Sequence, residues 1–270
     1  MSDNKIIERI DSFCDAVPRY RTQAEEHGPL VLFVPVGAGW PYYARPRLGD
    51  RAPVTVQDVR GVRARQRELL IPESFEWILQ ASPDMTLAAD DAGLEVRAHP
   101  LMVLDTPIKL PSGRPDDVDV RLLAPDDPDL HQVWAVPAVA FGYPGTGRGE
   151  AGPAEREKVA AGHDGGTLEM LRDRLRSGQS VLAAAFGPDG AVAAGSYQAT
   201  GGVAEITGVG VLPSSRRMGL GAGVTAALAA DALAHGSEIV FLSATDDAVA
   251  RVYTRLGFRT VGTAMIAEAS

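Results

Sequence analysis

At 270 residues, 45% hydrophobic and 23% charged, the chain has a globular composition with room for one large domain or two small ones. Its net charge of −9 excludes nonspecific nucleic-acid binding, which needs a basic face, and leans mildly towards a cationic partner. The single cysteine, Cys14, excludes an intramolecular disulfide framework and suits a reducing cytoplasm. The amino terminus has no apolar signal core, and no apolar run nears the ~20 residues that span a bilayer. The expectation is a cytoplasmic protein with no membrane or nucleic-acid partner.

Ile6, Ile7, Ile10, Phe13 and Cys14 recur at helical spacing and predict an opening amphipathic helix. Leu30–Val36, an apolar run between His27-Gly28 and Gly37, reads as a buried strand. Trp40-Pro41-Tyr42-Tyr43 follows as an aromatic loop or second strand, and Val54–Val56 as a further short strand. Val59–Leu70 reads as a helix with a solvated basic face, Phe75–Leu79 as a strand, and Ser82–Ala92 as a helix stopped by Gly93. Leu94–Leu104 is a long strand interrupted at Pro100. Asp105–Asp119, with Pro107, Pro111, Gly113 and Pro115, changes character and is the candidate linker. The chain thus divides into an α/β region at 1–115 and a second domain at 116–270.

Val118–Leu123 resumes as a strand, and Asp126-Asp127-Pro128 starts a helix carrying Leu130, Val133, Trp134 and Val136. Gly142–Gly166 is Gly-rich and polar, and Thr167–Leu175 reads as a helix. Val181–Phe186 and Ala191–Gln198 form a hairpin about Gly187-Pro188-Asp189-Gly190. Strand Val203–Leu212, helix Gly219–Ala234, strand Ile239–Ser243, helix Asp247–Leu256 and strand Phe258–Ala267 complete the chain. Meander strands followed by two β-α-β crossovers indicate a mixed sheet covered by helices, an α/β fold.

Between strand and helix lies Val209-Gly-Val-Leu-Pro-Ser-Ser-Arg-Arg-Met-Gly-Leu-Gly-Ala-Gly223. The first N–H groups of a helix lack intrahelical partners and carry partial positive charge, so they suit a diphosphate if the backbone can come close. Gly219 and Gly221 remove the obstructing side chains, and Arg216 and Arg217 add positive charge. This is neither a Walker A loop nor a dinucleotide fingerprint. Taken alone, an ordinary strand-to-helix connection remains the alternative.

Arg216-x-x-Gly219-x-Gly221 after Val211-x-Pro213 resembles the acetyl-CoA signature of the GNAT acetyltransferase superfamily. Asp247-x-x-Ala250-Arg251-x-Tyr253-x-x-Leu256-Gly257-Phe258 resembles that family's later helix. The resemblance covers about 150 residues, roughly Val118 to Ser270. It implies the GNAT acyl-CoA N-acyltransferase fold, acetyl-CoA as co-substrate and no metal. It implies that Arg216, Arg217, Met218, Gly219, Leu220, Gly221 and Ala222 wrap the CoA pyrophosphate. Val209, Gly210 and Val211 would pair with the pantetheine arm. Asp247 stands where the family has asparagine and is a weaker contact candidate. Tyr253 would protonate the leaving thiolate; its structural alternative is a core anchor.

Glu205, on the strand leading into this turn, resembles the general base of the histone-acetyltransferase branch; a solvent-facing acid is the alternative. Alternation puts Glu205, Thr207 and Val209 on one face, unless a bulge near Gly208 intervenes. Tyr143, Glu150 and His163 could meet an acceptor, although a mobile loop explains them as well. His131, Trp134 and His235 read as structural. Residues 1–115 lack a glycine-rich phosphate turn, but their late helix-strand-helix-strand order is similar to a tandem acetyltransferase with one degenerate half. The expected partners are acetyl-CoA and a small-molecule or peptide primary amine, and the resemblance is compatible with a homodimer. A non-catalytic acyl-CoA-binding regulator and transfer from a longer acyl-CoA stay open.

Overall fold

A computed structural model describes residues 1–36, 43–50, 52–109, 115 and 117–269. Trp40, Pro41 and Tyr42 of the aromatic segment and residues 110–114 and 116 of the linker lie outside the described residues. Internal contacts divide the chain into two compact units. One comprises Met1–Met102, Ser243–Asp246 and Thr260–Ser270; the other comprises Val103–Leu242 and Asp247–Arg259.

In the first unit, α1 (Asp3–Ala16) buries Ile6, Ile7, Ile10 and Phe13, the face its spacing predicts. β1 (Thr22–His27) and β2 (Leu30–Pro35) form an antiparallel hairpin turning at Gly28, φ +57°. β3 (Ala44–Pro46) runs antiparallel to β2. After α2 (Val56–Glu68), β4 (Ser74–Ile78) lies parallel to β3. α3 (Met85–Asp91) leads to β5 (Glu95–Leu104). The chain's last strand, Phe258–Glu268 (β11), returns to this unit antiparallel to β4. Its sheet order is β1-β2-β3-β4-β11-β5. Leu30, Leu32, Val59, Val62, Phe75, Trp77, Met85 and Met265 form one core, which buries one face of α2 and α3 on the strands.

Val54–Val56 is not a strand. Thr55 is the cap of α2, its hydroxyl accepting from the Asp58 N–H while the Asp58 carboxylate accepts from the Thr55 N–H at 2.8 Å. The arginine face of α2 is paired rather than merely solvated: Arg63 and Arg67 meet Glu73, and Arg65 meets Glu25 and Glu68. Pro100 does not interrupt β5; its carbonyl accepts from the Ala244 N–H at 2.9 Å.

In the second unit the sheet order is β10-β9-β8-β7-β6, the ranges being Asp119–Leu122 (β6), Val181–Gly187 (β7), Gly190–Thr200 (β8), Val203–Val211 (β9) and Ile239–Ser243 (β10). β6 to β9 pair antiparallel in turn, and β10 pairs parallel with β9. α4 (Leu130–Gly142) packs on β8 and β9, as does α7 (Leu220–Ala234). The Gly-rich stretch after α4 holds a helix its composition does not suggest, α5 (Pro153–Ala161). Pro153 starts it and the Glu155 carboxylate accepts from the Gly152 N–H at 2.8 Å. α6 (Gly165–Arg176) and α8 (Asp247–Leu256) complete the unit.

One order of elements occurs twice: β1-β2-β3-α2-β4-α3-β5 and β7-β8-β9-α7-β10-α8-β11. In each, three antiparallel strands precede a helix, and the next strand pairs parallel with the third.

Candidate functional site

β9 sets the geometry. Ser196 pairs with Thr207 and Ala194 with Gly210, so two β9 residues oppose Gly195 alone. Gly208, at φ +64°, makes this bulge, in a conformation that side chains disfavour. The extra residue shifts the alternation. Glu205 and Thr207 share a face with Gly210, whereas Val209 turns to the opposite one. The contacts agree. A Cβ on Gly210 would stand 2.8 Å from Ala140 Cβ on α4, while one on Gly195 would stand 3.0 Å from Val209 and 3.2 Å from Val224 on α7. The regular-strand expectation for Val209 is therefore corrected. Beyond Glu205 the strands part: β10 pairs with β9 only at Val203, Ala204 and Glu205. That leaves the β10-facing edge of Ile206–Val211 without a strand partner among the described residues, the length on which a pantetheine arm is expected.

Past β9 the chain makes a 3-10 turn at Pro213–Ser215, then takes positive φ at Arg217 (+67°) and Gly219 (+74°) before α7 begins at Leu220. Among the described residues no side chain caps α7. The helix's first backbone bond is Gly223 N–H to Gly219 O, at 2.9 Å, and the N–H groups of Arg217 to Ala222 have no acceptor among the described residues. Gly221 faces Val211, where a Cβ would come within 3.2 Å of its Cγ2. Arg217 is exposed beside these donors. Arg216 is used differently: its guanidinium donates to the carbonyls of Val211, Gly147, Ala140 and Tyr143.

Glu205 is half-buried, with no hydrogen bond or ion pair among the described residues, and burial pushes its carboxyl up to about 7. Gln198 is its cross-strand neighbour, and the Ser196–Thr207 hydroxyl pair at 3.2 Å shares its face. Tyr253 is buried on α8, edge-on to Phe258 at 6.0 Å. Burial pushes its phenol up to about 12, and the neighbouring Thr225 hydroxyl acts weakly the other way. The Thr225 hydroxyl donates to Gly221 O at 2.9 Å, in the first turn of α7. Sequence reasoning missed Thr225; its place one turn after Gly221 in the helix is the available signal.

The remaining candidates scatter. Asp247 is exposed at the start of α8, and Glu150 is exposed. Tyr143 is half exposed, and its carbonyl accepts from Arg216. His163 has a buried Nδ1 without a partner among the described residues, and burial, then His131, lowers its pKa. His131 and His235 meet local carbonyls at Pro128 and Asp231. Among the described residues no His, Cys, Asp and Glu cluster is placed to hold a metal, and no helix is long and apolar enough to cross a membrane.

Residues 187–266, which include β9, the turn and Tyr253, match the family model described as FR47-like protein. A GCN5-related N-acetyltransferase from Kribbella flavida superposes with a TM-score of 0.71 at 22% identity, over 98% of this chain and 95% of that one. A GCN5-related N-acetyltransferase-like protein from Streptococcus suis covers 99% of both chains, with a TM-score of 0.57 and 12% identity. A tandem GNAT protein from the clavulanic acid biosynthesis pathway has a TM-score of 0.55 at 19% identity, over 89% of this chain and 78% of that one. No curated protein matches the chain. The fold is that of these GCN5-related N-acetyltransferases, and the segment that matches the family model carries β9, the turn and Tyr253.

Proposed function

We propose that the second unit is an acetyl-CoA-dependent N-acetyltransferase that moves the acetyl group directly to a primary amine. The uncapped start of α7 carries this reading. Among the described residues the consecutive N–H groups from Arg217 to Ala222 lack acceptors, Gly219 holds the left-handed φ of +74° at the helix start, Gly221 lets that start pack against Val211, and Arg217 adds an exposed cation. That combination fits a pyrophosphate. Asp247, exposed and acidic, is the weakest member of the proposed set.

Acetyl-CoA bound here would supply the thioester carbonyl. The chain's own residues bind, orient and handle protons. Free amines are mostly protonated at neutral pH, and attack requires a neutral nitrogen. Glu205 is suited to take that proton, directly or through water, because a carboxyl held near 7 is balanced between acid and base. Tyr253 stays protonated throughout the neutral range. A phenol near 12 is too weak an acid to surrender its proton fully to a thiolate of pKa about 8.5. Its contribution is hydrogen-bond donation to the sulfur as charge develops.

Among its described residues the first unit shows no matching site. The start of α2, its counterpart of α7, is capped by the Thr55–Asp58 box, which takes up the Thr55 and Asp58 N–H groups and adds negative charge. We assign it a scaffold role.

The test is incubation with acetyl-CoA and a panel of polyamines, amino acids, aminoglycosides and peptides, reading free thiol and acetylated product together. Amine-dependent, saturable thiol release supports the enzyme. Saturable acetyl-CoA binding without turnover on any amine class would identify a regulator instead.

A further inference from the structure

Arg216 opens the phosphate-turn signature, yet its guanidinium is committed to four backbone carbonyls. Nε donates to Val211 O at 3.4 Å, Nη1 to Gly147 O at 3.3 Å, and Nη2 to Ala140 O at 2.9 Å and Tyr143 O at 2.6 Å. Ala140 is in the last turn of α4, where its carbonyl has only the long Tyr143 N–H bond of 3.4 Å, and Tyr143 is the C-cap, so these carbonyls belong to a helix end short of intrahelical donors. A guanidinium there also meets the negative end of the helix dipole. Arg216 therefore caps α4 from the turn that starts α7.

The connection is reciprocal. Arg148 Nε donates to Arg216 O at 3.1 Å, Gly149 N–H to Pro213 O at 3.1 Å, and Ser214 N–H to Ala151 O at 3.0 Å. The backbones approach closely enough that a Cβ on Gly149 would lie 3.1 Å from Pro213 Cβ, and one on Gly152 only 2.7 Å from Ser214 Oγ. The 140–152 connector, which carries exposed Phe141 and Tyr143, is thus laced to the turn along its length.

We infer that Arg216 is a positioning residue, fixing this connector against the phosphate turn, and that Arg217 is the cation left for the anion. Its effect on catalysis rests on the acetyltransferase reading; the lacing itself does not. Because the turn and the connector share one latch, displacement at either is felt at the other. A planar fork serves four diverging carbonyls; an ammonium on a flexible stem does not.

Hydrogen exchange of the ligand-free full chain tests this first. Arg216→Ala and Arg216→Lys should each raise exchange at Gly149 and Ser214 about tenfold. Arg217→Ala should leave those amides unchanged and weaken acetyl-CoA binding about tenfold. Arg216→Lys should keep acetyl-CoA affinity within about threefold while raising the amine KM about tenfold. With acetyl-pantetheine as donor, which has no pyrophosphate, the Arg216→Lys increase in amine KM should persist. Unchanged exchange in both Arg216 variants, with acetyl-CoA affinity lost on Arg216→Ala and kept on Arg216→Lys, would overturn the proposal in favour of a direct phosphate contact. If the wild-type chain acetylates no amine, the function fails, and the exchange result still decides the latch.

Discussion

Glu205 makes the sharpest prediction because its proposed role costs stability with a known sign. Burial holds the folded carboxyl near 7, against an ordinary value of 4.5. Between these pH values the folded chain keeps a proton that the unfolded chain releases, so stability falls as pH rises through the window. At ~1.4 kcal/mol per pH unit the full loss is ~3 kcal/mol, which partial solvent access reduces to ~2–3 kcal/mol. Glu205→Gln removes the titration and keeps the shape. At ~2–4 °C per kcal/mol in a chain of this size, its Tm relative to wild type should rise by ~5–10 °C between pH 4.5 and pH 8. The same variant should lose ~100-fold in kcat/KM. Wild-type kcat/KM should fall as pH drops below about 7, as the base is protonated. Thermal melts across pH, run beside a free-thiol assay, read both effects. A Tm difference independent of pH refutes the buried-carboxylate argument; retained kcat/KM refutes the base.

Tyr253→Phe should lower kcat ~10–100-fold with acetyl-CoA affinity within about threefold, measured by steady-state kinetics and calorimetry; unchanged kcat would remove the phenol from the chemistry. Gly219→Asp puts a side chain at φ +74° and an anion beside the pyrophosphate site, so acetyl-CoA binding should be abolished in calorimetric titration. Thr55→Ala should cost ~1 kcal/mol in denaturant melts through loss of the α2 cap, with one acetyl-CoA still bound per chain. A second equivalent of bound acetyl-CoA would contradict the closed site in the first unit.

Much of this architecture is legible in one sequence because its periodicities are strong. The Ala-rich α7, the apolar β10 and the hairpin about Gly187–Gly190 fall within a residue or two of expectation. Misses arise where local pattern is weak. β1, Thr-Gln-Ala-Glu-Glu-His, shows no apolar alternation and is held by its pairing with β2. β3 spans three residues, too few for a period. α5 hides in a Gly-rich setting and depends on the Glu155 cap and on buried Arg156, which reaches the Asp189 and Ala191 carbonyls. The turn's residue types were readable, but their division of labour was not. Sequence gives Arg216 and Arg217 equal standing; tertiary contacts send one guanidinium to four carbonyls and leave the other exposed. Likewise Gly208 flags a bulge, but only strand register shows that it turns Val209 away from Glu205.

The central claim is that backbone N–H groups at the start of α7 hold the acetyl-CoA pyrophosphate. Amide chemical shifts followed while acetyl-CoA is added to the isotopically labelled full chain test it most directly. The largest saturable changes should fall on Arg217 to Ala222, with α2 silent. Saturable binding that leaves those six amides unmoved would contradict the account.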